Sequence, residues 1–450
     1  MFFLCYFLLQ TVLCLLHGLE CRDSLLANIS SFLAPNQASQ CKGLLTLGEC
    51  HSALLGMARR KTIEFYIRFC EVLGQDLVDV LNTCYASGSL SLSQRRGVIS
   101  LVFKRGDRLD ARNWPPITLL NVDYKLASRV LADRLLKVFP VVVGKDQTCG
   151  VPVRFIGENV ALLRDIVDYT SFFNVPAAVL SLDQGKAFDR VDWSFMLATL
   201  SKMSFGPSFC HWVRLFYRGV QSCVNVNGYL SPFFVLSRGV RQGCPLSPLL
   251  YVLDSEVLAF NIRITDLSIP GSQTPLSPIS QYADDTSLIV NSDDVILAAF
   301  DTYSRLETAS GSKLNVSTSK GLWLGAWNNR RDHPVQLEWT SKKIKVLGVY
   351  VGHGHLEEAN WQPRIAAVEN VLSSWRQRAL SFRNRALFIG SLALSRIWYV
   401  ASLIHMPVWV HAELARLIFP FFWKGKPDLV AREVVTQHPT AGGFSVVDIK

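Results

Sequence analysis

The run Gln281-Tyr282-Ala283-Asp284-Asp285-Thr286-Ser287-Leu288-Ile289-Val290 restricts the fold more than any other stretch of this chain. Its two adjacent carboxylates lie between residues 278–283 and the apolar, β-branched residues 286–290, which predicts strand, tight turn and strand with the acids at the tip. Such a tip can offer hard oxygen ligands to a divalent cation. Asp-Asp at a hairpin is also ordinary turn chemistry, so a chemical reading needs a third carboxylate.

Asp183 supplies it. Residues 177–182, Ala-Ala-Val-Leu-Ser-Leu, have the length of a buried strand and end at Asp183, after which Phe188, Val191 and Phe195 recur at helical spacing. A strand-terminal Asp beside a hairpin-tip pair is the layout of a two-metal site, where carboxylates bridge two ions about 3.5–4 Å apart. Ions so placed activate an attacking 3′ hydroxyl and neutralise a leaving pyrophosphate.

Composition bounds the rest. A net charge of +10 favours an anionic partner, and nucleic acid is preferred because of the three acids rather than the charge itself. A chain of 450 residues, 49% hydrophobic, folds over most of its length and is long enough for two or three subdomains. Eleven cysteines, scattered singly with no Cys-x-x-Cys pair, point to reduced thiols in an intracellular compartment, nucleus or cytoplasm. His353-Gly354-His355 has no thiols at zinc spacing and reads as a turn. The first sixteen residues are apolar apart from Gln10 and Thr11, shorter than the roughly 20 residues of a membrane helix, and preceded by no Lys or Arg. They read as an N-terminal helix or an accident of the reading frame in preference to a signal peptide, and no stable membrane association is expected.

The two acidic stretches, together with Arg238-Gly239-Val240-Arg241-Gln242-Gly243-Cys244-Pro245-Leu246-Ser247-Pro248 between them, resemble the motif set of reverse transcriptases from LINE-type, non-LTR retrotransposons. The likeness runs from about residue 47 to the C-terminus. It implies an α+β right-hand polymerase of fingers, palm and thumb with a small antiparallel palm sheet. The implied organisation is an apolar N-terminal segment of uncertain role (1–45), fingers and part of the palm (46–175), palm with primer grip (176–355), and a helical thumb with C-terminal extension (356–450). The implied activity is RNA-directed DNA polymerase, adding deoxynucleotides to a primer 3′ end, with an RNA template, a DNA primer and deoxynucleoside triphosphates as partners. Asp183, Asp284 and Asp285 become the catalytic ligands of two Mg²⁺ ions, for which Mn²⁺ can substitute. Phe188, Gln242, Gly243 and Lys313 become the nucleotide-binding set. Phe188 falls where the family places a ring under the sugar that disfavours a 2′-hydroxyl; read alone, it is equally a core residue. Gln242 and Gly243 are compatible with a plain loop and helix cap, and Lys313 with a solvated side chain. Residues 345–351 resemble a primer-gripping hairpin. Oligomeric state is left open.

The sequence also departs from the family pattern. Pro115 stands where the family has an Arg that binds triphosphate, and proline offers neither charge nor donor. Lys104, Arg105 and Arg112 are the neighbouring cations able to replace it. A finger loop is missing between Gly56 and residues 62–66. These departures keep an alternative in view, a catalytically impaired remnant that only binds nucleic acid. A metal-dependent nuclease explains less, because it gives Arg241-Gln242-Gly243 no role. The endonuclease that precedes the domain in full elements is not in the sequence, which reads as a truncated copy. Elsewhere the periodicity predicts two helices over 47–90 with a break at Gly88, and a helix over 123–138 with Arg129, Asp133, Arg134 and Lys137 facing out. Residues 386–404 read as one buried helix. Trp375, Trp398, Trp409 and Trp423 read as core rings with snorkelling arginines.

Overall fold

The computed structural model describes residues 17–104, 106–263 and 279–449; the apolar run 1–16, Arg105 and the Pro/Ser-rich loop 265–278 lie outside the described residues, as does the side chain of Arg112. Backbone contacts divide the chain into two compact units. One holds residues up to 155 with 177–320 and 331–338; the other holds 156–176, 321–330 and 339–450. The division follows packing rather than chain order. The Ile156–Phe172 helix, expected with residues 46–175, belongs to the second unit, and so does the Lys343–Gly352 hairpin, expected with residues 176–355.

In the first unit, Arg96–Leu101 pairs antiparallel with Pro116–Leu120 and parallel with Gln221–Val226. Gln221–Val226 turns back through left-handed Asn227 and Gly228 into Tyr229–Leu230, as an Asn-Gly turn requires. A second set of strands, Ala177–Leu182, Asp285–Val290 and Ile279–Tyr282, is antiparallel and almost wholly buried. The Ser247–Arg263 helix is buried nearly all round. It packs against the Ile279–Tyr282 strand and against the helices Val122–Val142, Trp193–Lys202 and Asp293–Ser310, so the acid-bearing strands have a rigid backing.

Local signals explain most element ends. Ser292 caps the Asp293–Ser310 helix by accepting from the Val295 N–H, and left-handed Gly311 stops it. Residues 47–90 form three helices rather than two, Leu47–Gly56, Lys61–Arg68 and Cys70–Ser87, with Gly88 ending the last as expected. The helix predicted over 123–138 runs from Val122 to Val142, and Arg134 on it is buried rather than outward. Its guanidinium grips Glu49 at 2.7 and 2.8 Å and reaches the carbonyls of Lys42, Gly43 and Leu44, which is why burial is tolerated. A helix over 17–27 packs Leu25 and Leu26 into this core. The amide of Asn28, the acceptor position of an Asn-Ile-Ser sequon, donates to Asn261 at 2.7 Å and is therefore engaged within the fold. The cysteines from Cys21 to Cys244 are free thiols.

In the second unit the Glu357–Trp375 helix packs on Val408–Phe422. The single helix expected over 386–404 is broken into Phe382–Phe388, a π-helical Ile389–Ala393, a 3-10 turn Leu394–Arg396 and Trp398–Ala401. Arg378 lies 4.3 Å over Trp375, and buried Arg385 donates to the carbonyls of Leu380 and Phe422. Among the described residues no helix is long and apolar enough to cross a membrane.

Candidate active site

Strand register brings the acids together. Ala178 pairs with Val290 and, step by step, Leu182 with Thr286, so one further step sets Asp183 opposite Asp285. Tyr282 pairs with Asp285, which leaves Ala283 and Asp284 as a two-residue turn. Ala283 is left-handed at φ 54°, a conformation that glycine usually fills. It is held there by buried Gln147, whose Oε1 accepts the Ala283 N–H at 3.0 Å. The adjoining backbone is fastened as well: Gln281 N–H donates to Asp146 O, and Thr148 N–H to Gln281 O.

Asp183 is fixed from the other side by the segment after the Asp293–Ser310 helix. Its N–H donates to Ser319 Oγ at 3.0 Å, and its carbonyl accepts from Asn315 N–H at 2.8 Å. Its Oδ2 accepts from the Thr318 hydroxyl and from Asn315 Nδ2. These neutral donors set the carboxylate's orientation without cancelling its charge.

Residues 184–192 are pinned between two loops. Gly185 N–H donates to Lys313 O, while Val240 N–H donates to Phe188 O and Gly239 N–H to Val191 O, each at 2.8 Å. The Phe188 ring stacks on Tyr251, centroids 4.9 Å apart and planes 14° from parallel. Gln242 O accepts the Thr118 N–H at 2.7 Å. Gly243 has φ +117°, and a Cβ there would stand 2.5 Å from Thr118 O. The lack of a side chain at Gly243 is thus demanded by the neighbouring strand. Arg241 is buried, lies over the Tyr124 ring and donates to the carbonyls of Arg95 and Gln221.

These segments enclose a cleft of about 690 Å³ whose walls include Asp183, Asp284, Phe188, Gln242, Gly243, Lys104 and Pro115. Asp285 stands beside it, across from Asp183. The side chain of Lys313 is exposed and does not line the cleft; its carbonyl braces Gly185 instead. Burial raises the Asp284 carboxyl above its usual range, and Asp183 adds to this. Asp285 keeps solvent contact as a residue, yet its carboxyl is pushed up to about 6, by burial first and then by Asp284 and Asp183. Lys104 opposes both shifts, which makes it, among the described residues, the cation that answers the acids. Pro115 forms wall beside it and adds no charge.

The donor set suits a hard divalent ion, since Mg²⁺ takes one or two carboxylates and keeps several waters. Among the described residues no three His, Cys, Asp or Glu side chains form a ready-made cage. Sequence reasoning missed Gln147, Tyr251, Asn315, Thr318 and Ser319. The run Asn315-Val316-Ser317-Thr318-Ser319, dense in side-chain donors directly after a helix stop, was a usable signal. Gln147 offered none.

Comparison with known proteins identifies the chain's relatives. Residues 103–351 match the family described as reverse transcriptase (RNA-dependent DNA polymerase). The Transposon TX1 uncharacterized 149 kDa protein of Xenopus laevis is 35% identical over 420 residues, 90% of this chain and 32% of that protein. The retrovirus-related Pol polyprotein from type-1 retrotransposable element R2 of Popillia japonica is 27% identical over 235 residues, 50% of this chain and 32% of its own. The chain therefore spans about a third of the length of these relatives. A solved apo telomerase from Candida tropicalis, truncated from its C-terminal domain, covers 62% of this chain and 58% of its own at 14% identity and a TM-score of 0.41. With the family match running from Phe103 through the acids into the Lys343–Gly352 hairpin, the chain belongs to the reverse transcriptase family, and its kin are proteins of LINE-type, non-LTR elements.

Proposed function

We propose that the chain is an RNA-directed DNA polymerase that extends a primer 3′ end with deoxynucleotides on an RNA template, using Asp183, Asp284 and Asp285 as ligands of two Mg²⁺ ions. The observation that carries this reading is the convergence of Asp183, Asp284, Phe188 and Gln242, from three separate segments, on one cleft. When bound, the ions supply Lewis-acid polarisation of the attacking and leaving oxygens. The remaining work belongs to the chain. Asn315 and Thr318 orient the Asp183 carboxylate, and Gln147 holds the tip that presents Asp284. Phe188 lies under the incoming sugar and leaves no room for a 2′-hydroxyl, while Gln242 and Gly243 bound the base-pair side. Lys104 gives the triphosphate the positive charge that Pro115 does not. For that reason a remnant that only binds nucleic acid is the less supported reading. We read most of the fingers and palm in the first unit, and the Ile156–Phe172 helix, the Lys343–Gly352 hairpin and the thumb in the second. Free thiols fit an intracellular setting, nucleus or cytoplasm.

The test is primer extension on poly(rA)/oligo(dT) with Mg²⁺ or Mn²⁺, beside a doubly substituted Asp284→Ala, Asp285→Ala control. Extension lost in the control is the expected result. A folded protein that binds the duplex and extends nothing would overturn the polymerase reading in favour of the remnant.

A further inference from the structure

Phe188 sits on a helix of only four residues, Ala187–Arg190, which has little stiffness of its own. Its carbonyl is tied to Val240, so the backbone is fixed and the ring keeps only its side-chain torsions. The near-parallel stack on Tyr251 limits those. Tyr251 is 2% exposed and stands in the first turns of the long, buried Ser247–Arg263 helix. Its hydroxyl donates to Gln184 Oε1 at 2.9 Å, which locks the ring plane to the residue next to Asp183. Beyond the stack lies a cavity of about 10 Å³, at the lower limit for one water, bounded by Gln184, Tyr251 and Asp254. Removing the Tyr251 ring would enlarge this space, whose other walls include Ala187, Val191 and Leu306.

From this arrangement we infer that Tyr251 is a positioning residue that sets the height of the Phe188 ring in the cleft and thereby the discrimination between deoxyribo- and ribonucleotides. The inference rests on the polymerase reading, in which Phe188 lies under the sugar. A long core helix lends its rigidity to a short turn through one aromatic face, so shortening Tyr251 lets the Phe188 ring sink and opens space for a 2′-hydroxyl. The hydroxyl of Tyr251 orients the backing ring, and the ring itself carries the effect.

The experiment measures equilibrium binding of dATP and ATP to the full chain on a primer–template with U next in the template, with Ca²⁺ replacing Mg²⁺ so that binding is read without turnover. Extension with each nucleotide is measured in parallel. Tyr251→Leu is expected to lower the dATP-over-ATP preference roughly threefold to tenfold by strengthening ATP, with dATP little changed, while Tyr251→Phe retains most of the preference. Phe188→Ala is the control for the gate itself. If it leaves the preference unchanged, the reading of Phe188 fails and the inference with it. If Phe188→Ala lowers the preference and Tyr251→Leu weakens both nucleotides equally, Tyr251 merely packs and the inference alone is overturned. Melting temperature and duplex binding confirm folding; should Tyr251→Leu not fold, Tyr251→Met removes the flat ring at similar volume and is judged by the same criterion.

Discussion

The hairpin of Ile279–Tyr282 with Asp285–Val290 and that of Lys343–Val346 with Val349–Gly352 both turn through two residues, and in each the first is left-handed and bears a side chain: Ala283 at φ 54° and Leu347 at φ 47°. What differs is the group at the tip that is braced. At the first tip an N–H, that of Ala283, is met by an acceptor, Gln147 Oε1. At the second, carbonyls are met by donors: Leu347 O by the Tyr399 hydroxyl and Gly348 O by Arg364 at 3.0 Å. Gly348 is itself left-handed, and a Cβ on it would lie 3.2 Å from the Tyr399 ring. This glycine is required by its turn and its neighbour. One turn aims acids into a cleft and bears their mutual repulsion; the other is neutral and tied to its own helices. Turn type alone therefore says little about use, which the bracing groups decide.

The comparison breaks most visibly at the acids. Asp183→Asn or Asp284→Asn is expected to lower extension by roughly a thousandfold, since each removes charge that the metal-assisted transition state requires. Leu347→Asn at the other tip should leave the rate within about threefold. Equal losses in single-turnover assays would mean that both tips serve the chemistry. Next comes the bracing. Gln147→Leu leaves the half-buried Ala283 N–H without its acceptor at about 1–3 kcal/mol, lowering the melting temperature and raising the Mg²⁺ concentration needed for half-maximal extension. Tyr399→Phe forfeits about 1 kcal/mol and should lower the melting temperature without moving the Mg²⁺ titration.

A pH titration sharpens the contrast further. Because the Asp285 carboxyl rises from 3.8 to about 6, the metal-free fold holds a proton that the unfolded chain has released. Its contribution to stability is complete below about pH 4, falls as pH rises to 6, and is flat above. Asp285→Asn is expected to remove that slope in thermal melts taken across this window, and a slope that survives would place the proton elsewhere. The smallest effect is strain relief. Ala283→Gly and Leu347→Asn each exchange a disfavoured left-handed residue for a tolerant one, raising stability by up to about 1 kcal/mol. If Ala283→Gly also slows extension while Leu347→Asn does not, the strained tip serves to aim Asp284.

Features written in adjacent residues were legible in the sequence: the acidic hairpin, the Asn227-Gly228 turn, the strand ending at Asp183, and the stops at Gly88 and Gly311. Features made by distant partners were not. Gln147 reaches the Ala283 N–H, and Asn315 and Thr318 reach Asp183, only because the chain folds back on itself, and no periodicity marks such residues. Arg134 occupies a polar position by helical spacing, and only Glu49 and three carbonyls from far upstream make its burial tolerable. Residues 386–404 look continuous by hydropathy, but Gly390, Ser391 and Ser395 loosen the hydrogen-bond ladder into π and 3-10 turns. The Ile156–Phe172 helix was placed by its position in the chain, whereas its apolar face chose residues that come much later.

The register that sets Asp183 opposite Asp285 also governs when the protein can fold. Ala178 waits for Val290, and Arg96–Leu101 waits for Gln221–Val226, so both sheets close through contacts remote in sequence. Such topologies form slowly, because the entropy of closing a long loop is lost before any pairing compensates for it. During synthesis the apolar Ala177–Leu182 strand emerges well before its partner and has only solvent or a chaperone along its edge. The cleft thus waits for residues well downstream, Asp285 first and Asn315 and Thr318 after it, and synthesis interrupted before residue 290 leaves that strand edge open and prone to aggregation.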